Sequence, residues 1–246
     1  MLEIKPKSWI DNGKVLVYVH VGAYTFQSAE STLGSSVLSA TATGLRVISI
    51  DYTLAPQAQW KRASDQVLAV FKALMETGLT MEDIAIYGDS AGGGLAAGSV
   101  LKMRDKGMGM PAAVLLWSPL SDITDVGDSY TTLKHATPFY TYEKHLGKSA
   151  RAYADPEDQT HPYVSPIYGD YSNKGFPPTL IQGGTKEIFL SNFIRHYQAR
   201  DTAVIPVKLD LYEGMVHVFQ AFLAGTPESE LALSKSAAFL TEHPGT

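Results

Sequence analysis

The residues with the clearest chemical promise are Gly88-Asp89-Ser90-Ala91-Gly92. They follow an apolar run, Ile84–Tyr87, and precede a stretch, Gly92–Arg104, with the pattern of a helix. G-x-S-x-G between a strand and a helix is a tight turn that lifts a serine above a sheet. The helix that starts there aims its positive end at the serine, which favours a developing anion. The flanking glycines leave the room a strained elbow needs for close backbone approach. Such a serine is a candidate nucleophile toward a carbonyl carbon, although a plain packing turn can carry the same five letters. A second set, His20-Val21-Gly22-Ala23 with Tyr24 behind it, closes the first apolar run. A small-residue loop in that place can offer backbone N–H groups to a tetrahedral oxyanion. A third set, Gly214-Met215-Val216-His217-Val218-Phe219, lies just past the last apolar run. A lone loop histidine is more often a surface residue than a base. Three signals in chain order, each at the end of a strand, reverse that balance.

The elements that must position these groups alternate. Short apolar, β-branched runs occur at Val15–Val19, Val47–Ile50, Ile84–Tyr87, Ala113–Trp117, Thr179–Gln182 and Val207–Tyr212. Continuous runs of this length suit strands buried on both faces. Between them, Ala63, Val67, Val70, Phe71 and Leu74 form one helical stripe. Gly92–Arg104, Leu190–Thr202 and Glu228–Glu242 also read as helices, the last ending at His243-Pro244-Gly245. Strand–helix alternation implies a mostly parallel sheet covered on both faces, with its active site at the carboxyl ends of the strands.

Composition narrows the chemistry further. The 246 residues are 45% hydrophobic and 18% charged, a globular balance. There is no cysteine, which removes disulfides, thiolate nucleophiles, Cys-ligated zinc and iron–sulfur clusters together. With 20 basic against 25 acidic residues and no Lys/Arg cluster, nucleic acid is excluded as an expected partner. No apolar run is long enough to span a membrane. The start, MLEIKPKSWIDNGK, has no apolar core after its positive charges, so a cytoplasmic protein is expected.

Taken together, the motifs resemble the hormone-sensitive-lipase-like branch of the α/β-hydrolase esterases, also called bacterial lipolytic family IV. His20–Tyr24 stands against H-G-G-G/A-[FYW], Asp51-Tyr52-Thr53-Leu54-Ala55-Pro56 against D-Y-R-L-A-P, Gly88–Gly93 reads G-D-S-A-G-G, and Gly214–Phe219 carries the histidine. The likeness runs from about Val15 to about Phe222. It implies the α/β-hydrolase fold, in one domain over 1–246 with a cap-like insertion at about 122–170. It also implies a serine carboxylesterase acting on short-chain or compact aryl esters, with neither cofactor nor metal. Carried over residue by residue, Ser90 is the nucleophile, His217 the general base, and the N–H groups of Gly22, Ala23 and Ala91 the oxyanion hole. The D-P-L-x-D of many relatives is missing, but others with G-T-R-[DE]-L-L-L-S-D place the triad acid where Glu187 stands. Asp122, Asp201 and Asp210 fit worse: one strand too early, in the following helix, and inside the last strand.

Departures from the pattern carry expectations of their own. Val21 replaces the family's first glycine, and a β-branched residue constrains the loop. Thr53 replaces the usual arginine, removing a structural salt bridge. The histidine–glycine motif lies far closer to the start than in the family, so the amino-terminal cap helices and first strands are expected to be missing. That predicts a more open pocket and leaves Val47–Ile50 as an exposed edge, opposite Val207–Tyr212. Pairing across either edge would give a homodimer.

Other signals fit less well. Gly92-Gly93-Gly94-Leu95-Ala96-Ala97 satisfies G-x-G-x-x-[GA], and Tyr140 to Lys144 satisfies Y-x-x-x-K. A dinucleotide fold would carry its glycines at the first strand–helix turn, with an acid at the next strand end. Here they come mid-chain, and the next strand ends Trp117-Ser118-Pro119. His135, His145, His161, His196 and His243 lack the close pairing of a metal motif. The aromatic run Tyr130, Phe139, Tyr140, Tyr142, Tyr153 and Tyr163 lies in the insertion, which in the family helps cap the pocket; ordinary packing explains any single member equally well. The rival function is a non-catalytic, hydrolase-like small-molecule binding protein, as among plant hormone receptors of this lineage. Such proteins commonly lose a triad member, and this chain keeps all three candidates.

Overall fold

A computed structural model of the chain describes residues 1–7, 9–136 and 140–243. Seven strands form one sheet: β1 (Leu2–Ile4), β2 (Val15–Val19), β3 (Arg46–Ile50), β4 (Ile84–Asp89), β5 (Val114–Trp117), β6 (Thr179–Gly184) and β7 (Val207–Tyr212). Their order is β1-β3-β2-β4-β5-β6-β7; β1 is antiparallel to β3 and the other pairings are parallel. Alternation along β2 shows why its sequence is apolar throughout. Val15, Val17 and Val19 enter one core, while Leu16 and Tyr18 enter the core on the opposite face.

Helices cover both faces: α1 (Leu33–Thr43), α2 (Trp60–Glu76), α3 (Ala91–Asp105), α6 (Leu190–Asp201) and α8 (Pro227–Glu242), with the short α4 (Ser129–Thr132), α5 (Gly147–Tyr153) and α7 (Phe219–Phe222) between them. The stripe on α2 buries Ala63, Val67 and Phe71 as its spacing predicts. The glycines of α3 serve close packing. A Cβ on Gly94 would stand 2.2 Å from Leu120 O, and one on Gly98 2.2 Å from Tyr163 O. α8 starts at Pro227, with Thr226 Oγ1 accepting from Ser229 N. The helix-ending Pro244-Gly245 and the aromatic Phe139 lie outside the described residues.

Besides the short α4, α5 and α7, two elements escape the sequence reading. α1 turns Ser35, Ser36 and Ser39 into the core, so no apolar stripe marks it. β1 is only three residues long, too short to show a period. It corrects the expectation that Val47–Ile50 is an exposed edge, because Leu2, Glu3 and Ile4 pair with Ser49, Ile48 and Val47. The side chains of Arg46 and Glu3 meet across that pairing at 3.3 Å. β7 is the outermost strand on the other side. The segment between β5 and β6 packs onto the loop after β2, at the carboxyl end of the sheet. Tyr153 stacks on Tyr24 with ring centroids 3.7 Å apart, and Ser149 Oγ lies 2.8 Å from Thr25 Oγ1. No helix among the described residues is long and apolar enough to cross a membrane.

Candidate active site

The carboxyl end of β4 turns into α3 at Ser90, whose backbone has φ 54° and ψ −121°. A non-glycine residue pays for that conformation with strain on the order of 1–3 kcal/mol, so the surroundings must hold it. Ser90 N donates to Trp117 O at 2.9 Å, and Ser90 O accepts from Gly93 N and Leu120 N at 3.0 and 2.8 Å. The flanking glycines are sterically required. A Cβ on Gly88 would lie 2.3 Å from Gly92 O, and one on Gly92 would lie 2.0 Å from Val19 O.

His217 sits on the loop after β7, and Glu187 on the loop after β6. His217 Nδ1 lies 2.7 Å from Glu187 Oε2, with both side chains buried. A carboxylate only accepts, so Nδ1 carries the hydrogen, and in the neutral imidazole the lone pair is the one on Nε2. The second carboxylate oxygen accepts from Gly184 N and from Ser118 Oγ, each at 2.7 Å. Ser118 Oγ in turn accepts from Val218 N at 3.0 Å. Tyr140 and Phe189 meet the His217 ring edge-on, each with centroids 5.2 Å away.

The loop after β2 carries three consecutive positive φ angles, 134° at Gly22, 49° at Ala23 and 64° at Tyr24. A Cβ on Gly22 would stand 2.1 Å from Phe26 O, so this position admits only glycine without rearrangement. Gly22 O accepts from Thr25 N and Phe26 N. Among the described residues, no acceptor is found for the N–H groups of Gly22, Ala23 or Ala91. His20 braces the loop from below. Its Nδ1 lies 2.8 Å from Val21 O, its ring stacks on Tyr52 at 4.2 Å, and Tyr52 O–H donates to His20 O. Burial lowers the pKa of His20, which suits a neutral brace. A cleft of about 180 Å³ lined by Val21, Gln27, Ser35, Asp89, Val218 and Phe222 sets the β2 loop, the Ser90 elbow and the His217 loop side by side.

Residues 16–221 match the family described as alpha/beta hydrolase fold. An acetyl-hydrolase of Streptomyces hygroscopicus is 32% identical over 95% of this chain and 77% of its own. An esterase of Acinetobacter venetianus is 32% identical over 93% of this chain and 75% of its own. The crystal structure of an esterase from the bacterial hormone-sensitive lipase family aligns with a TM-score of 0.92 at 30% identity, covering 99% of this chain and 80% of that one. The chain belongs to the hormone-sensitive-lipase branch of the α/β-hydrolase family.

Within this hydrolase, the acids that compete with Glu187 are engaged elsewhere. Asp122 pairs with Arg195 at 2.8 Å and accepts from Thr124 and Tyr168. Asp201 accepts from Tyr197, and Asp210 from Gln182 and Lys235. Where the hydrolase family has arginine, Thr53 forms a neutral reciprocal pair with Gln66: Thr53 N donates to Gln66 Oε1, and Gln66 Nε2 to Thr53 Oγ1. The aromatic run divides. Tyr140 faces His217 and Tyr153 backs the β2 loop through Tyr24, whereas Tyr163 lies against Trp60 and His161.

Sequence reasoning missed two residues of the site's surroundings. Asp89 is buried beside the Ser90 elbow, accepting from Tyr18 O–H at 2.9 and 3.0 Å and from Ser35 Oγ at 3.1 Å. Burial pushes its pKa up to about 6, against the opposing pull of those two donors, Tyr18 and Ser35. Its signal was a carboxylate following a wholly apolar strand. Ser118 was visible only as the residue after β5, at the same sheet end as the other groups.

Proposed function

We propose that this chain is a serine carboxylesterase that hydrolyses short-chain or compact aryl carboxylic esters through an acyl-enzyme on Ser90. One observation carries the reading: the buried 2.7 Å pair between His217 Nδ1 and Glu187 Oε2, which keeps the lone pair of the imidazole on Nε2. The names of the relatives, esterase and acetyl-hydrolase, support ester substrates with small acyl groups. Ser90 Oγ attacks the ester carbonyl while His217 Nε2 takes its proton. The oxyanion that forms is received by the N–H groups of Gly22, Ala23 and Ala91, assisted by the positive end of α3. His217 returns the proton to the alcohol oxygen as the C–O bond breaks, leaving the acyl group on Ser90. Water, deprotonated by His217, then releases the acid and restores the serine. Glu187 holds the imidazole tautomer throughout and stabilises the imidazolium.

Turnover of p-nitrophenyl acetate and butyrate tests the proposal. Ser90→Ala should leave only the residual catalysis of a binding and oxyanion site, and an organophosphate should form one adduct, on Ser90. Glu187→Gln should lower kcat by as much as about 10⁴ with the fold intact, while Asp201→Asn and Asp210→Asn leave it within about twofold. Full activity in Ser90→Ala, or labelling at another residue, would overturn the assignment.

A further inference from the structure

We propose that Ser118 is a positioning residue for ester hydrolysis, its hydroxyl holding the acid and the base loop in one geometry; this rests on the roles given above to Ser90, Glu187 and His217. The hydroxyl has a single hydrogen. Val218 N–H must donate to Ser118 Oγ, so that hydrogen is the one given to Glu187 Oε1. One oxygen therefore ties the acid to the residue directly after the base, across separations of 69 and 100 residues.

The backbone around this oxygen makes the tie informative. Ser118 is fully buried with φ 45°, a region that a glycine would occupy at little cost. Serine there is strained where glycine would not be, and what it brings is the hydroxyl. Val218, a β-branched residue at φ 50°, is strained in the same way, and its N–H bond to Ser118 helps hold it there. Ser118 N donates to Gln182 O at 2.7 Å, which anchors the donor itself to β6. Without the hydroxyl, Glu187 Oε1 retains only Gly184 N–H among the described residues, and the buried Val218 N–H loses its acceptor. The carboxylate and the imidazole could then shift relative to Ser90. A displacement near 1 Å at a reacting centre is enough to cost about a hundredfold in rate.

The test compares Ser118→Ala and Ser118→Gly, each in the wild-type and Glu187→Gln backgrounds, on p-nitrophenyl acetate, with near-UV circular dichroism to follow the fold. Both single variants should lose about tenfold to a hundredfold in kcat with KM within about twofold. Glycine should not recover activity although it relieves the backbone. In the Glu187→Gln background, Ser118→Ala should change kcat by less than about threefold, because the group it positions is already disabled. Wild-type kcat in Ser118→Ala, recovery by glycine, an undiminished loss in the Glu187→Gln background, or loss of the folded spectrum in both variants would each overturn the proposal. If Glu187→Gln itself leaves kcat unchanged, the triad reading fails instead, and the two failures are distinguishable.

Discussion

Backbone strain in this protein is concentrated. Of the seven described non-glycine residues with positive φ, six lie at the site or on its loops: Ala23, Tyr24, Gln27, Ser90, Ser118 and Val218. Each is held by hydrogen bonds or packing that a relaxed loop would not need. Asp89 adds an electrostatic cost beside Ser90. Its pKa is about 6 in the folded protein against an ordinary 3.8, so the folded state holds its proton more tightly than the unfolded chain does. The stability tied to this group is fully present below about pH 3.8 and is lost as pH rises through about 6. At 1.36 kcal/mol per unit, the loss is about 3 kcal/mol. Asp89→Asn keeps an acceptor for Tyr18 O–H, and Ser35 can turn to accept from the new amide. Urea unfolding should therefore show a flatter stability profile between pH 4 and 7 for the variant, by about that amount. Parallel profiles would contradict the argument.

At the scale of elements, the seventh strained residue is the exception that identifies a stabilising change. α3 ends in a tight C-terminal motif in which Met108 N donates to Met103 O and Gly107 N to Arg104 O, with Gly107 at φ 68°. α6 ends with the same two bonds, Ile205 N to Arg200 O and Val204 N to Asp201 O, but the left-handed position is Val204 at φ 59°. Valine is β-branched, 88% exposed, and distant from the site's loops in the fold. Nothing in its surroundings rewards the strain. Val204→Gly should stabilise the protein by about 1 kcal/mol, the relief of left-handed strain less the added freedom of the unfolded glycine. Thermal unfolding measures it, with kcat unchanged. A lower melting temperature for the variant would show that the exposed valine makes a contact worth more than its strain.

For the whole molecule, the question is which sheet edge is free. β1 covers β3 and leaves an edge of only three residues, so association by strand pairing is directed to the longer outer strand, β7. Thr179 N donates to Pro206 O and Thr185 N to Tyr212 O, so even-numbered residues of β7 face β6 and Val207, Leu209 and Leu211 present their N–H groups outward. Lys208–Glu242 and Lys235–Asp210 ion pairs flank this edge. Light scattering across a range of concentrations should show a dimer, twice the 26.7 kDa chain. Leu211→Pro removes an outward N–H without breaking a bond to β6, and it should return the protein to the monomer. A wild-type chain that stays monomeric at high concentration would mean that β7 is protected by its charged neighbours.

Much of this was legible in the chain itself. Six strands, four long helices and the elbow at Ser90 follow from local patterns, because a strand buried on both faces is apolar throughout and an elbow needs glycine on either side of its serine. The order of Ser90, Glu187 and His217 along the chain was readable with the family's motifs beside it. β1 and α1 were not: three residues carry no period, and buried serines on α1 erase the apolar stripe that marks a helix. A carboxylate at the end of an apolar strand hinted that Asp89 is buried, but no local pattern could reveal Tyr18 as its partner, or the hydroxyl of Ser118 meeting Glu187 and Val218. Periodicity reports burial averaged over a whole element, and that much the sequence determined alone. A single hydrogen bond between residues 69 or 100 apart depends on how the finished sheet brings its loops together, and only the tertiary structure decides that.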